Sequence, residues 1–204
     1  MFSPTLRQAI YLVLITVNLW TFAPAGLTSS IVNSTEDPVG RILPLAASTG
    51  PAVSAPARLL IPEIGVDAAV EKVGLTAGGA MASPSQVSNV GWLRTGPRPG
   101  DNGSAVMAGH LNGNTWGRTG VFGKLHLLKV GDLVFVEDSQ GLTTTFTVWK
   151  IRTYGADEEA PDVFAPAGGT YLNLVTCDGV WDQGKQNYSQ RLVVFTAAEK
   201  VLVN

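Results

Sequence analysis

The sequence predicts an all-β domain, a barrel or a sandwich, and three observations carry that reading. Glycine (23) and proline (12) are plentiful and spread through the chain. Between them lie many short apolar runs, several rich in β-branched and aromatic residues, which read as strands punctuated by turns. Apolar residues make up 45 % of the chain, ample for one core, and no internal repeat is present.

Composition also narrows function. The chain has 204 residues, enough for one domain and an appendage. Charged residues are 15 % and the net charge is -2. With no basic stripe, nucleic acid is not an expected partner. A single cysteine, Cys177, excludes an intramolecular disulfide and the paired-cysteine zinc patterns. Neither histidine lies in a ligand pair such as H-E-x-x-H, so no metal and no cofactor is expected.

Residues 9 to 23 carry no charge, and uncharged sequence continues to Ile31, punctuated by Pro24 and Gly26. The run approaches the ~20 apolar residues of a membrane span. Trp20 and Phe22 suit an interface. Residues 1–27 are therefore expected to be a transmembrane helix acting as a signal anchor. A cleaved signal peptide ending near Ala23-Pro24-Ala25 is the competing reading. The anchor is preferred because the run is long for a signal peptide. Either way the remainder lies outside the cytoplasm, and Arg7 orients the N-terminus inward. Residues 28–57, rich in Ser, Thr, Pro, Ala and Gly, read as a stiffened linker.

The domain is expected over 58–204. Leu59-Leu60-Ile61 is a strand ended by Pro62, and Val66 to Val73 is a second, ended by Gly74. Ser83-Pro84 predicts an N-cap and first helical position, hence one helical turn to Ser88. Gly91-Trp92-Leu93 is a buried turn or short strand. The loop Gly96 to Gly103 feeds the small-residue strand Ser104 to Ala108, which ends in Gly109-His110. A glycine-spaced polar loop, Leu111 to Gly120, follows. Phe122, Leu125 and Leu128 then share helical spacing. Gly131-Asp132 turns into Leu133 to Glu137, and Thr143 to Tyr154 is β-branched and aromatic. The acidic loop Ala156 to Pro166 leads to Tyr171 to Cys177, and the polar loop Asp178 to Gln190 leads to the last strand, Arg191 to Thr196.

Cys177 ends its strand before an Asp178-Gly179 turn signal. Alternation puts Asn173, Val175 and Cys177 on one face and Leu172, Leu174 and Thr176 on the other. A thiol at such an end can be rigid and still reach a substrate, although a free cysteine often merely packs. Arg191 opens the strand that follows. An antiparallel pair joined by the 178–190 loop would put both at one rim. His110 also closes a strand, but pattern alone does not bring it to that rim. The chemistry suits all three. A thiol of ordinary pKa, about 8.5, is mostly protonated at neutral pH, and a nearby cation favours the thiolate. Histidine can return a proton to a leaving amine. Arginine offers several fixed donors to a developing oxyanion. Against this stand a structural histidine and an ordinary surface arginine. His126, in an apolar turn, is read as structural.

His110 in Ala-Val-Met-Ala-Gly-His, Cys177 in Asn-Leu-Val-Thr-Cys-Asp and Arg191 in Ser-Gln-Arg-Leu-Val-Val resemble, in order and setting, the His–Cys–Arg triad of the sortases. Ile61-Pro62, Gly91-Trp92, Pro99-Gly100, the Phe122/Leu125/Leu128 pattern and Gly131-Asp132 match as well, so the likeness spans about 58 to 197. It implies a closed eight-stranded β-barrel with short helices. It also implies a membrane-tethered cysteine transpeptidase. In that reading Cys177 attacks the Thr–Gly carbonyl of an LPxTG-like sorting signal on a surface protein. His110 shuttles the proton and Arg191 holds the backbone or oxyanion. The acceptor is an amine of a peptidoglycan precursor or a pilin lysine. Thr176 and Asn173 become substrate-binding candidates. Asn173 stands where the family's Thr-Leu-x-Thr-Cys has its first threonine. Gly91-Trp92-Leu93 and Gly109-His110-Leu111-Asn112 look class F-like, or D-like, rather than class A or B. Some relatives bind calcium in the acidic loop. Here Asp157, Glu158, Glu159 and Asp162 read as a solvated loop instead, since calcium wants six to eight arrayed oxygens. Two rivals remain: a catalytically silent surface domain that binds wall components, and a cysteine hydrolase that uses water. A papain-like hydrolase fits worse, because it expects the cysteine before the histidine and on a helix.

Overall fold

A computed structural model describes residues 53–113, 118–164 and 168–198. The expected anchor, all but the last residues of the linker and the tip of the loop after His110 lie outside them. Among the described residues no helix is long and apolar enough to cross a membrane.

Eight strands close into one barrel. They are β1 (Pro56–Ile61), β2 (Val66–Val73), β3 (Val90–Leu93), β4 (Gly103–Gly109), β5 (Leu133–Asp138), β6 (Thr143–Gly155), β7 (Thr170–Asp182) and β8 (Asn187–Ala198). Their order around the barrel is β1-β2-β3-β4-β7-β8-β6-β5, closed by antiparallel pairing of β1 with β5. Closure removes the exposed edges that an open sheet would present. Two neighbours run parallel, β2 with β3 and β4 with β7. The barrel matches the expected closed eight-stranded form, and β1 opens two residues before the expected domain start.

Strand alternation sorts side chains into two cores. Leu59, Ile61, Val90, Met107, Phe146, Leu172, Leu174 and Val194 fill the barrel interior. The opposite parity points outward, where Val106, Val193 and Phe195 pack with Tyr154 and with Val163 of α1 (Pro161–Phe164). This second cluster lies on the outer face of the barrel and is roofed by the β6–β7 connection. A fully buried Leu or Phe contributes about 1.5–3 kcal/mol, so both clusters matter.

Three expectations change. The Ser83 to Ser88 stretch is not helical: residues 85–86 bend, and a single turn follows in which the Asn89 N–H donates to the Gln86 carbonyl at 3.1 Å. Glu71 on β2 takes the N–H groups of Ser85 (2.8 Å) and Gln86 (3.2 Å), donors a helix start would otherwise leave for its cap. The Phe122/Leu125/Leu128 segment is a tight turn with 3₁₀ geometry at Leu125–Leu127, whose three-residue repeat stacks those side chains just as well. All three are buried. Finally, β7 does not end at Cys177. It continues to Asp182 and, with β8 starting at Asn187, turns the expected polar loop into a hairpin. The Asp178-Gly179 signal appears as a β-bulge between Asp178 and Trp181. Gly179 sits there at φ +79°, a left-handed conformation that glycine adopts without steric cost. The Val180 N–H freed by the bulge donates to Ser189 Oγ at 2.9 Å.

Candidate active site

Register assembles the site. The parallel β4–β7 pair aligns Ala108 with Val175, so two residues further on His110 lies beside Cys177. The antiparallel β7–β8 pair sets Cys177 opposite Arg191, and β6–β8 sets Arg191 opposite Tyr154. Directly opposed residues in such a ladder have Cα atoms about 4.5–5.5 Å apart. His110, Cys177, Arg191 and Tyr154 thus cross four neighbouring strands at one rim. All four line one cleft of about 530 Å³. Its floor is the outer cluster, with Val106 and Val175, and α1 supplies Val163 and Phe164 as one wall. A cavity of about 600 Å³ lies elsewhere, beside Asp67, Arg118 and Lys124, and has neither thiol nor imidazole.

Cys177 is the chain's sole thiol, half-buried and unbridged. His110 Nε2 lies 3.0 Å from the Pro84 carbonyl oxygen. A carbonyl only accepts, so this contact assigns the proton to Nε2 and leaves Nδ1 as the basic nitrogen of the neutral ring. The Pro84 loop is itself held by Glu71, which also accepts from Asn89 Nδ2 at 2.9 Å. Those donors, the Ser85 N–H first, draw the Glu71 carboxyl down to about 2 despite its partial burial. Below the rim, the buried Thr176 hydroxyl donates to the Gly109 carbonyl at 2.9 Å and bolts β7 to the residue before His110. A methyl group on Gly120 would collide with the His110 carbonyl, so only glycine lets the returning loop pass. Arg191 Nη1 donates to the Gln190 (2.7 Å) and Tyr188 (3.2 Å) carbonyls, and Nη2 to Asn187 Oδ1 at 2.7 Å.

Asn173 is placed differently from the triad. It shares the outward face of Cys177, but it is 2 % exposed, beneath α1, and its amide donates to the Val163 carbonyl at 2.6 Å. It therefore touches the inner side of the cleft wall. The acidic loop is not simply solvated. Asp162 pairs with Lys150 (2.9 Å) and accepts from the Tyr154 hydroxyl (2.7 Å). Glu158 pairs with Arg152 at 2.8 Å, and Asp157 with Lys185 at 3.0 Å. Lys150, then Tyr154, holds the Asp162 carboxyl below the usual range. Burial, reinforced by Asp162, pushes the Tyr154 phenol up to about 12. Among the described residues no three His, Cys, Asp or Glu side chains form a metal cluster.

Sequence reasoning passed over Glu71, Pro84, Tyr154 and Asn187. Pro84 acts through its backbone carbonyl, and the Glu71 carboxylate takes two backbone N–H groups and one side-chain amide, contacts that leave no motif in the sequence. Tyr154 had a local signal, an aromatic closing a strand, but its place beside Arg191 depends on pairing.

A β-barrel whose rim sets a free thiol between an imidazole and a guanidinium is the architecture of a thiol-dependent acyl-transfer enzyme. Comparison with known families agrees. The profile of the sortase domain matches residues 59–199, more than half of the chain, and the chain belongs to the sortase family. Sortases are cysteine transpeptidases, and this is an enzyme of that kind. Solved structures with the same fold include sortase C-1 from Actinomyces oris (25% identity, TM-score 0.54, covering 71% of this chain and 73% of that one). Sortase C1 from Streptococcus agalactiae is similar at 26% identity and TM-score 0.55, over 70% of this chain and 66% of that one. Sortase A from Corynebacterium diphtheriae, as a lid mutant, shares the fold at 20% identity and TM-score 0.56, over 74% and 73%. A search of curated proteins finds no match.

Proposed function

We propose that this chain is a membrane-tethered transpeptidase that cleaves an LPxTG-like sorting signal between Thr and Gly and joins the new C-terminus to an amine at the cell surface. The observation that carries the proposal is the register of three adjacent strands, which brings His110, one residue past the end of β4, together with Cys177 of β7 and Arg191 of β8 around one cleft.

In this reading the Cys177 thiol gives its proton to His110 Nδ1, the resulting thiolate attacks the threonine carbonyl carbon, and the carbonyl oxygen becomes an oxyanion. Arg191, always protonated, donates to it. The intermediate collapses as the C–N bond breaks, and the departing glycine amine takes a proton from His110. A thioacyl enzyme remains, with a neutral imidazole. The acceptor amine then attacks the thioester carbonyl and gives its proton to His110, and the thiolate leaves. Thr176 keeps β7 in register with the His110 strand. Asn173 supports the cleft wall, so its effect on the sorting signal passes through α1. The acceptor is a peptidoglycan-precursor amine or a pilin lysine. The catalytic domain lies outside the cell, anchored by residues 1–27. The settings of Gly91-Trp92-Leu93 and Gly109-His110-Leu111-Asn112 support a class F-like subclass.

The test incubates the full-length chain with a panel of LPxTG-type peptides, with and without a glycine-based amine, and reads product masses. Ligated product that requires Cys177 and His110 supports the proposal. Arg191→Lys should be poor, because a point charge lacks the planar fork. Hydrolysis alone, at every amine concentration, would make the chain a hydrolase. No difference between wild type and Cys177→Ala would make it a silent binding domain.

A further inference from the structure

We propose that Asn187 is a positioning residue for Arg191, a neutral acceptor that aims the guanidinium into the cleft without cancelling its charge. The inference rests on the reading of Arg191 as the cation that meets the developing oxyanion.

An arginine side chain has many rotamers, so a useful guanidinium must be held before substrate arrives. Here it is held by three oxygens of its own hairpin. Two are the Tyr188 and Gln190 carbonyls and the third is Asn187 Oδ1. Asn187 Oδ1 is itself fixed, because it also accepts the Tyr188 backbone N–H at 3.0 Å. The turn before it is specific. Gln186 adopts φ +49°, the one non-glycine residue with positive φ among those described, and Asn187 pairs with Asp182 to close the hairpin. The neighbouring Tyr188 hydroxyl accepts from Asn112 Nδ2, two residues past His110, and its ring packs edge-on against Trp181 at 5.1 Å. One turn thus aims Arg191 and ties its strand to the loop that follows His110.

The charge pattern gives the second half of the argument. All three acceptors are neutral. Among the described residues no carboxylate pairs with Arg191, although several are near the rim. Glu158 is engaged by Arg152 and the Gly155 N–H. Asp178 faces Thr153 Oγ1, and Asp182 accepts the Gly184 and Lys185 N–H groups. A carboxylate at 187 could keep both of the asparagine's contacts while forming a buttressed ion pair with Arg191. The positive charge would then be spent on a fixed partner instead of on an oxyanion or on the thiolate.

Asp and Ala at this position therefore separate aiming from charge. The full-length wild type, Asn187→Asp, Asn187→Ala and Arg191→Ala are compared in three measurements. These are kcat and KM on an LPxTG-type peptide with a glycine amine, the pH dependence of iodoacetamide alkylation of Cys177, and thermal unfolding. The other ionisable groups that line the cleft, His110, Tyr154 and Glu158, are common to all four proteins. Asn187→Asp should unfold at the wild-type temperature yet lose about tenfold or more in kcat, with KM changed less. Its alkylation profile should move to higher pH. Asn187→Ala should lose less than Asn187→Asp and keep the alkylation profile. A purely structural turn residue gives the reverse order, since Asp preserves the contacts that Ala deletes. That reverse order, or wild-type kcat in both variants while Arg191→Ala is inactive, overturns the inference alone. Wild-type kcat in Arg191→Ala overturns the reading of Arg191 and the inference with it.

Discussion

Glu71→Gln removes one negative charge and leaves the volume unchanged, and its consequences can be worked through from the loop it holds. Glu71 accepts from the Ser85 and Gln86 N–H groups and from Asn89 Nδ2. Those bonds lower its pKa from 4.5 to about 2. If the unfolded chain titrates normally, that difference is worth about 3 kcal/mol at most. The group is only partly buried and water screens it, so about 1–2 kcal/mol is the realistic figure. The sign follows from the direction. A carboxyl depressed in the fold stabilises above its unfolded pKa, and the contribution is lost as pH falls from about 4.5 to about 2. Wild type should therefore exceed Glu71→Gln by about 1–2 kcal/mol at pH 7 in urea unfolding, and the gap should close by about pH 2. Other depressed carboxylates, Asp67, Asp138 and Asp162, titrate in both proteins and cancel in the difference. The same loop carries the Pro84 carbonyl that orients His110. Transpeptidation should accordingly fall on the order of tenfold at neutral pH, while Cys177 alkylation persists. A stability gap that is equal at pH 7 and pH 2 would refute the electrostatic account of this loop.

Four further changes test other contacts. Thr176→Val keeps the shape but strips the donor from the buried Gly109 carbonyl, and should cost about 1–3 kcal/mol in thermal or urea unfolding and lower kcat. Tyr154→Phe deletes the hydrogen bond to Asp162 and should cost about 1 kcal/mol below pH 10, chiefly raising KM for the peptide because α1 loosens. Gly120→Ala should lower kcat far more than it lowers solubility, since the added methyl meets the His110 backbone. Calcium or a chelator should leave activity unchanged, because Lys150, Arg152 and Lys185 already neutralise the acidic loop; a calcium-stimulated rate would show that those ion pairs open.

Much of the fold is written locally. Glycine and proline mark the turns, and period-two alternation marks the strands, so most of the strands could be read from short windows. The errors share a cause. Ser83-Pro84 carries a sound helix-start signal, but the segment's Ser85 and Gln86 N–H groups are tied to a carboxylate on β2 and only one turn, Gln86 to Asn89, follows. Asp178-Gly179 carries a sound turn signal, yet cross-strand pairing on both sides turns it into a bulge. Asn173 was correctly placed on the face of Cys177, but whether that face meets a ligand or a roof depends on α1, which returns to cover it.

The sequence by itself determined the alternation of the strands and set two chemical anchors, Cys177 and Arg191, at facing ends of consecutive strands, which meet at one rim once those strands pair antiparallel. It also fixed the residue types available for the chemistry. Tertiary structure alone decided that β4 runs parallel to β7, which is what sets His110 beside the thiol. Parallel neighbours are joined by long connections, and no local pattern says which distant strand will supply the other half of the ladder. Barrel closure selects that partner through the packing of the whole interior.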